Sequence, residues 1–166
     1  MILSTVEDKQ PKSRTVLLKG FDENGFVFYS NYDSDKGLQM EANSHVSLLF
    51  YWDKLQRQVR IEGTVSRIPE SVSESYFQSR PRQSQLGAWA SRQSKVIENA
   101  QVLVDDLAFY TAKFANAEVI SKPLNWGGYV VNPNKIEFWQ GRPSRLHDRI
   151  VFELDNGDWN TCRLSP

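Results

Sequence analysis

The sequence predicts a mainly β domain in which an antiparallel, barrel-like sheet carries two or three peripheral helices. Runs rich in β-branched and aromatic residues outnumber helical segments, and most consecutive runs are separated by short turns, which favours antiparallel pairing. The length of 166 residues corresponds to a single domain. A chain of this length buries roughly two-thirds of its surface on folding, so its core needs no disulfide or structural metal.

The N-terminal half contains five strand-like runs. In the last of them Gln58, Arg60 and Glu62 alternate with Val59 and Ile61, so one face is polar and the other apolar. An Asn-Gly pair, typical of a tight turn, precedes the third run. The runs span residues 2–6, 14–19, 26–30, 45–52 and 56–68, with a polar turn at 7–11 between the first two.

Two helices are predicted from their start signals. Ser34 can cap a helix over residues 34–42, because its hydroxyl can accept a hydrogen bond from the first turn. Pro69 suits a first helical position, and Ser71 with Glu74 forms a capping-box pattern. The second helix is therefore expected to begin at the proline.

This second helix is expected to end before Arg80-Pro81, because the proline stops it, which makes residues 82–85 a turn. A third helix is predicted over about 99–115, because apolar residues recur there at spacings of three and four. The residues of this apolar face are Leu103, Leu107, Tyr110 and Phe114.

The C-terminal segment is predicted to contain four strands. Asn132-Pro133-Asn134 indicates a turn between the first two, and Asn156-Gly157 indicates a hairpin between the last two. The strands are expected over residues 129–131, 135–140, 145–154 and 159–164.

Composition excludes several classes of function. Twenty Lys and Arg residues balance twenty Asp and Glu residues, so the formal net charge is zero and no nucleic-acid partner is expected. The single cysteine, Cys162, favours a reducing compartment, and His45 and His147 lie too far apart for a zinc motif, so no metal is expected. No apolar run approaches the roughly 20 residues of a membrane span, and no signal peptide is visible. The chain is therefore predicted to be cytoplasmic, without membrane contact.

Arg145, His147 and Arg149 form one candidate ligand site. If residues 145–154 are a strand, these three side chains share a face, because alternate residues of a strand point the same way. Cationic groups in a row repel one another unless an anion or carboxylates lie opposite. An anionic ligand such as a phosphorylated molecule explains the row; an exposed strand face with acidic neighbours is the alternative.

Tyr76, Arg80 and Ser84 form a second candidate. Tyr76 and Arg80 are four residues apart and are neighbours on a helix face, while Ser84 follows in the predicted turn. A guanidinium, a phenol and a hydroxyl together suit a phosphate monoester. Alternatively, Tyr76 packs in the core and Arg80 is a surface charge.

Four motifs lie in order along most of the chain. They are R-T-V-L-L-K-G (14–20), Y-F-Q-S-R-P-R-Q-S-Q (76–85), W-G-G-Y (126–129) and F-W-Q-G-R-P-S-R-L-H-D-R (138–149). Together they resemble the pyridoxamine 5′-phosphate oxidase family. This resemblance implies an FMN-binding split β-barrel that forms a homodimer with FMN at the subunit interface. It also implies oxidation of a small phosphorylated pyridine, pyridoxamine or pyridoxine 5′-phosphate, to pyridoxal 5′-phosphate, with dioxygen accepting the electrons and hydrogen peroxide released.

The resemblance also implies site residues. The expected flavin contacts are Arg14, Thr15, Val16, Lys19, Tyr29, Ser30, Lys36, Gln58, Gln93, Ser94, Trp139 and Arg149. The expected substrate contacts are Lys19, Tyr76, Arg80, Ser84, Arg145 and His147. Of these, Arg145 and His147 are the expected catalytic pair, and their role is to hold the pyridine end of the substrate against the flavin.

The chain departs from the family pattern at two places. Where the family usually has Ser-Arg-Lys before its short helix, this chain has Ser34-Asp35-Lys36, and Asp35 is expected to weaken FMN binding by repelling a phosphate. Family members also usually carry several dozen residues ahead of the first strand, some of which cover the substrate. The resemblance therefore predicts one split-barrel domain over residues 1–166 without that lid segment.

Two alternatives to the oxidase remain open on the sequence. One is a non-catalytic protein that binds a flavin or pyridoxal phosphate, suggested by Asp35 and the expected lack of a lid. The other is a split-barrel flavin oxidase that acts on another substrate, such as a phenazine precursor.

Overall fold

The computed structural model describes all 166 residues, Met1–Pro166, and contains nine β-strands and four α-helices. The strands are β1 (Ile2–Glu7), β2 (Gln10–Thr15), β3 (Gly20–Asp22), β4 (Gly25–Asn31), β5 (His45–Trp52), β6 (Arg57–Arg67), β7 (Trp126–Gln140), β8 (Asp148–Asp155) and β9 (Asp158–Arg163). The helices are α1 (Asp35–Ala42), α2 (Glu70–Ser79), α3 (Arg82–Ala90) and α4 (Gln101–Lys113). Short 3₁₀ turns cover Asp53–Leu55 and Pro143–Arg145.

All nine strands belong to one sheet. The main order is β2-β1-β5-β6-β7-β4-β3, and β8 pairs with both β7 and β9. Antiparallel registers join β1 to β2 and β5, β3 to β4, β5 to β6, and β8 to β7 and β9. The mainly β, antiparallel class predicted from the sequence is confirmed.

The chain divides into two compact units. The first contains residues 1–28, 39–66 and 130–166, and the second contains residues 29–38 and 67–129. Each unit has its own buried side chains. In the first unit these include Leu3, Phe28, Leu48, Ile61, Val131 and Val151, and in the second they include Phe77, Leu86, Ile120 and Trp126.

The first hairpin turns earlier than the sequence predicted. Asp8 and Lys9 both have positive φ angles, 47° and 67°, so they form a two-residue turn, and the second strand runs over Gln10–Thr15 rather than 14–19. Pro11 lies inside this strand. A proline is tolerated there because β2 is at the edge of the sheet, where an N–H group need not pair.

Strand β7 is continuous where a turn was predicted at residues 132–134, so that prediction is wrong. Asn-Pro-Asn favours a turn locally, but the neighbouring strand β6 passes very close to this part of β7. A Cβ atom added to Gly63 of β6 would lie 2.1 Å from the carbonyl oxygen of Asn132. Pairing between strands distant in sequence therefore overrides the local turn signal.

The helix start signals were partly correct. Ser34 caps α1, since its buried hydroxyl accepts a 3.4 Å hydrogen bond from the main-chain N–H of Gly37. The capping box predicted for α2 is wrong: Pro69 is the N-cap residue, and no side chain caps the helix. The turn predicted at 82–85 is also wrong, because Pro81, with φ −54° and ψ 141°, is itself the N-cap of α3.

The last helix uses only part of its predicted apolar face. Tyr110 and Phe114 pack against Trp89, with ring centroids 5.6 and 5.5 Å from the indole. Leu103 and Leu107 stay exposed on the single chain. The face predicted from spacing therefore exists on α4, but the second unit covers only its C-terminal end.

Strand β8 begins at Asp148, so the predicted strand over 145–154 is too long at its start. Pro143 opens a 3₁₀ turn, and Ser144 and Arg145 have positive φ angles of 58° and 61°, which no strand residue adopts. Arg145 and His147 therefore lie in the preceding loop. The shared strand face predicted for these two residues and Arg149 does not form.

We expect Gly63→Ala to destabilise the fold, because the added methyl group would meet the Asn132 main chain of the neighbouring strand. Overpacking of this kind costs about 1–3 kcal/mol of unfolding free energy. Urea denaturation followed by circular dichroism measures the change. Gly87→Ala is the control: its Cβ meets nothing within 4 Å, and alanine in helix α3 should add roughly 0.5–1 kcal/mol. Equal stability of the two variants would contradict the prediction.

Candidate active site

An open cavity in the first unit has a volume of about 940 Å³. Strands β6, β7 and β8 bring three of the predicted flavin contacts, Gln58, Trp139 and Arg149, to its wall. Trp139 and Arg149 face each other directly in the β7–β8 register. Residues that are far apart in the sequence thus meet because their strands are neighbours.

The buried carboxylate of Glu137 binds two of the arginines that line this cavity. Glu137, 5% exposed, accepts two hydrogen bonds from Arg149, at 2.7 Å from Nε and 3.1 Å from Nη2. It also accepts one from Arg60 Nη1 at 3.3 Å. The hydrogen bond from Arg149 is the main reason why the pKa of Glu137 lies below its ordinary value, and it raises the pKa of Arg149.

The sequence-based reasoning did not select Glu137 as a site residue. One feature of the sequence could have indicated it. Glu137 is two residues before Trp139, a predicted flavin contact, and in a strand the two side chains therefore point to the same face. Arg149 lies opposite Trp139 and is therefore a diagonal neighbour of Glu137. That relation depends on the register of β7 and β8, which the sequence does not show.

The loop before β8 carries the predicted catalytic pair. The His147 ring lies 4.7 Å from the Trp139 ring, centroid to centroid, and its Nδ1 accepts a 3.1 Å hydrogen bond from the main-chain N–H of Arg142. In the neutral ring this acceptor role leaves the proton on Nε2. Arg145 is exposed and forms no ion pair within the chain. The loop therefore offers one ring N–H donor and one guanidinium.

The other predicted contacts of the first unit lie along residues 14–19. Arg14 donates to Thr5 Oγ1 at 2.7 Å and to Gln39 Oε1 at 2.8 Å, so part of its guanidinium has a structural role. Thr15 pairs with Ile2 in the β1–β2 register. Main-chain hydrogen bonds join Val16 to Met1 and Lys19 to Val27. This segment is therefore held by its backbone at both ends.

In the second unit, the start of α1 gathers several polar groups. Lys36 Nζ lies 3.2 Å from Ser34 Oγ and 3.1 Å from Gln93 Oε1, and Ser30 Oγ lies 3.3 Å from the same amide oxygen. Ser94, which follows, adopts a left-handed conformation with φ 68°. An ammonium group, hydroxyls and a helix N-terminus form a donor set that suits a phosphate.

A stack of aromatic rings supports Arg80 in the same unit. Tyr76 stacks on Tyr29 at 3.9 Å, and Tyr29 stacks on Trp126 at 5.3 Å. Arg80 Cζ lies 4.7 Å above the Trp126 ring, while the buried Nη1 of Arg80 has no hydrogen-bond partner in the chain. Burial lowers the pKa of Arg80 and raises that of Tyr29. A buried guanidinium nitrogen without an acceptor is suited to a ligand anion.

Ser84, the third member of the predicted phosphate group, lies in the first turn of α3 rather than in a loop. Its N–H is bonded to the Pro81 carbonyl at 2.8 Å, and Arg80 immediately precedes that proline. The helix N-terminus therefore follows Arg80 directly in the chain.

Solved structures place this architecture in a known class. PhzG from Burkholderia lata 383, in complex with tetrahydrophenazine-1-carboxylic acid, superposes with a TM-score of 0.92 at 27% identity, over 99% of this chain and 81% of that one. A pyridoxamine 5′-phosphate oxidase-related, FMN binding protein from Nostoc punctiforme has a TM-score of 0.78 at 16% identity, over 99% and 87%. The fold is therefore that of the FMN-binding split barrels.

Sequence comparisons are more specific. Residues 1–112 match the family model described as pyridoxamine 5′-phosphate oxidase, and residues 126–166 match the pyridoxine 5′-phosphate oxidase C-terminal dimerisation region. The pyridoxine/pyridoxamine 5′-phosphate oxidase of Synechocystis sp. is 54% identical over 167 residues, which cover this whole chain and 78% of the relative. The chain belongs to the pyridoxamine 5′-phosphate oxidase family.

Coverage of the relatives differs. The chloroplastic pyridoxine/pyridoxamine 5′-phosphate oxidase 1 of Arabidopsis thaliana is 56% identical over 171 residues, and the chain spans about a third (32%) of its length. Among the four helices, none has both the length and the apolar character needed to cross a bilayer.

We expect Glu137→Gln to destabilise the protein, because the amide cannot balance two guanidinium groups and turns an N–H₂ donor toward them. The unfolding free energy should fall by about 2 kcal/mol, as for hydrogen bonds to charged groups. Glu153→Gln on the same sheet removes an exposed pair with Lys135 and should change it by less than about 1 kcal/mol.

The stabilisation by Glu137 should also depend on pH. Its pKa is lower in the folded chain than the ordinary value of 4.5, so its contribution is present above that value and is lost as the pH falls through the folded pKa. The difference in unfolding free energy between the wild type and Glu137→Gln should therefore be constant near neutral pH and shrink below about pH 4.5. Urea titrations at several pH values test this, and a difference that grows in acid would contradict it.

Proposed function

We propose that the protein is an FMN-dependent oxidase that converts pyridoxamine or pyridoxine 5′-phosphate to pyridoxal 5′-phosphate. The observation that carries this proposal is Arg80, whose buried Nη1 lacks an acceptor and whose guanidinium rests on an aromatic stack, as a site for a substrate phosphate requires. Relatives 49–56% identical that are named pyridoxine/pyridoxamine 5′-phosphate oxidase support the same reaction.

The residues of the chain fit FMN. We assign its phosphate to the donor set around Lys36, where Ser30, Ser34 and Gln93 supply neutral hydrogen-bonding groups. The flavin ring is assigned to the groups that line the 940 Å³ cavity, Gln58, Trp139 and Arg149. Main-chain and side-chain groups of Arg14, Thr15, Val16 and Lys19, together with Tyr29 and Ser94, complete the proposed flavin contacts.

The phosphate of the substrate is assigned to Arg80, Tyr76 and Ser84, with Lys19 as a further cation. Arg80 supplies a charge-assisted hydrogen bond from its unpaired nitrogen, and the stacked rings fix its direction. The first-turn position of Ser84 adds a hydroxyl beside a helix N-terminus. The pyridine end of the substrate is assigned to Arg145 and His147, whose cation and Nε2–H can bind its oxygen and nitrogen acceptors.

The protein's own contribution to the reaction is orientation and charge. When bound, FMN would supply the redox chemistry, a two-electron oxidation of the substrate carbon that bears the amine or alcohol, with dioxygen as the final acceptor and hydrogen peroxide as its product. With the alcohol no other reactant is needed; with the amine, water enters and ammonia leaves. Separate contacts with the phosphate and with the pyridine ring restrict the bound substrate, which reduces the entropy lost in the reactive step.

We further propose that the enzyme is a cytoplasmic homodimer with FMN at the subunit interface. The match of residues 126–166 to a dimerisation region supports the dimer. That region exposes Phe138, Leu146 and Trp159 on the single chain, as an interface would require. The free Cys162 is consistent with a reducing compartment.

A second candidate, an oxidase of an unphosphorylated substrate, is favoured by the close superposition with PhzG. The two functions differ in their need for Arg80. The purified protein should bind FMN, become yellow and produce hydrogen peroxide with pyridoxamine 5′-phosphate but much less with pyridoxamine. Equal rates with the two amines would favour the second candidate, and FMN binding without peroxide would favour a non-catalytic protein.

Arg80→Met should raise the KM for pyridoxamine 5′-phosphate at least about tenfold, because a charge-assisted hydrogen bond to phosphate is lost. FMN affinity should not change, since the flavin is assigned to other residues. Steady-state peroxide assays and FMN fluorescence titrations make the two measurements. Arg82→Met is the control: this arginine, two residues later, bonds the Phe114 carbonyl oxygen, so its KM effect should be small.

Asp35→Arg should strengthen FMN binding, because the exposed carboxylate of the first residue of α1 lies next to Lys36 and repels a phosphate there. A lowering of Kd by about tenfold, equivalent to roughly 1.4 kcal/mol, is expected. Asp155→Arg makes the same charge change at the end of β8, outside the proposed flavin contacts, and should leave Kd nearly unchanged. Fluorescence titration at low salt measures both, and an equal gain in the two variants would indicate only a net-charge effect.

A further inference from the structure

Asp148 connects the two ends of the loop that carries His147. Its Oδ2 accepts a 2.7 Å hydrogen bond from Arg142 Nε, and its Oδ1 accepts a 2.6 Å hydrogen bond from Arg163 Nη1. Arg142 is the second residue of the loop (residues 141–147), Asp148 is the first residue of β8 after it, and Arg163 is the last residue of β9. Both carboxylate oxygens therefore have a cationic partner, and these partners lower the pKa of Asp148.

The backbone of this loop needs support from its surroundings. Ser144 and Arg145 both have left-handed φ angles, which residues with side chains rarely adopt. Gly141 anchors the start of the loop through a 2.8 Å hydrogen bond from its N–H to the Gln56 carbonyl. At the other end of the loop, the hydrogen bond from Arg142 to Asp148, the first residue of β8, ties the loop to the sheet, and the His147 ring packs against Trp139 of β7.

The hydrogen bonds of Asp148 with Arg142 and Arg163 form a tether, and Arg142 links this tether to His147. Its side chain is held by Asp148, while its main-chain N–H donates to His147 Nδ1 at 3.1 Å. Any movement of the Arg142 backbone would therefore lengthen or break the hydrogen bond that selects the protonated ring nitrogen. The packing of the His147 ring against Trp139 limits the ring's position but not its tautomer.

Exposure indicates that the tether is not mainly a stabilising feature. The Asp148, Arg142 and Arg163 side chains are 36%, 54% and 63% exposed, and ion pairs of that exposure add little to stability. His147, Asp148 and Arg163 line the same open depression of about 380 Å³, so the ring can be reached from solvent. Asp148 accepts hydrogen bonds from Arg142 and Arg163 and not from Arg145. The positive charge of Arg145 is therefore not balanced by this carboxylate.

We propose that Asp148 is a positioning residue that, through Arg142, holds His147 as the Nε2–H tautomer and thereby orients the substrate. The part of this inference that concerns substrate orientation rests on the proposed oxidase function. The part that concerns the tautomer of His147 does not. Asp148 touches neither ligand in this proposal and acts only through the loop. It extends the candidate site to a carboxylate that is not among the proposed ligand contacts.

The test uses the FMN-loaded protein and two variants, Asp148→Asn and Arg142→Met. The second variant keeps the main-chain N–H that bonds His147 and removes only the side-chain tether. Nitrogen-15 NMR of the two histidines reports the tautomer, and exposed His45, paired with Asn43, is an internal reference. His147 should be the Nε2–H tautomer in the wild type and a mixture in both variants, with His45 unchanged.

Kinetics provide the second measurement. Both variants should lose about tenfold in kcat/KM for pyridoxamine 5′-phosphate, mostly through KM, as expected for misplaced binding groups. The FMN Kd should change less than twofold, and Glu153→Gln, which removes another exposed carboxylate of β8, should affect neither the kinetics nor His147. If Asp148→Asn does not fold, Arg142→Met alone decides the question.

Two results would overturn the proposal. One is an Nδ1–H tautomer in the wild type, or a His147 spectrum unchanged in the variants. The other is a changed tautomer with unaltered kcat/KM in an active enzyme. A wild type without oxidase activity would refute the proposed function instead, and the NMR comparison would still decide the role of Asp148 in holding the histidine.

Discussion

Buried Glu137 accepts hydrogen bonds from Arg149 and Arg60, and the wall of the cavity in the first unit depends on this arrangement. A carboxylate at 5% exposure loses most of its hydration, and only close cationic donors can offset that loss. The same hydrogen bonds hold Arg149 beside Trp139 in fixed geometry. Arg149, which we propose as a flavin contact, is thus kept in place by a residue that does not need to touch the ligand.

The cationic side chains of the protein differ in whether they have partners within the chain. Lys122, almost fully buried, bonds Glu70 and two main-chain carbonyl groups, and Arg14 bonds Thr5 and Gln39. Those cations have partners within the chain, which gives at least part of each a structural role. Arg80 keeps a buried nitrogen without an acceptor, and exposed Arg145 forms no ion pair. A chain with zero net charge can thus present strong local sites for anions, because its charges are unequally compensated.

Sequence patterns predicted the elements whose signal is local. The alternation in β6 and the Asn-Gly hairpin before β9 were confirmed, because side-chain direction and turn geometry there depend on adjacent residues. The predicted turn at 132–134 failed because the close approach of β6 favours a continuous β7. The predicted strand over 145–154 failed because two left-handed residues precede Asp148, and nothing in a Ser-Arg pair signals that conformation.

Residue types and motif order were sufficient to identify the family and its expected cofactor, and they suggested which side chains could bind anions. Such information is carried by which side chains are present, and it does not require their distances. The pairing of Glu137 with Arg149, the stack beneath Arg80 and the link from Asp148 to His147 depend on strand register and on loop dihedral angles. These follow from contacts between segments far apart in the chain, so they emerge only when the sheet and the helices have folded.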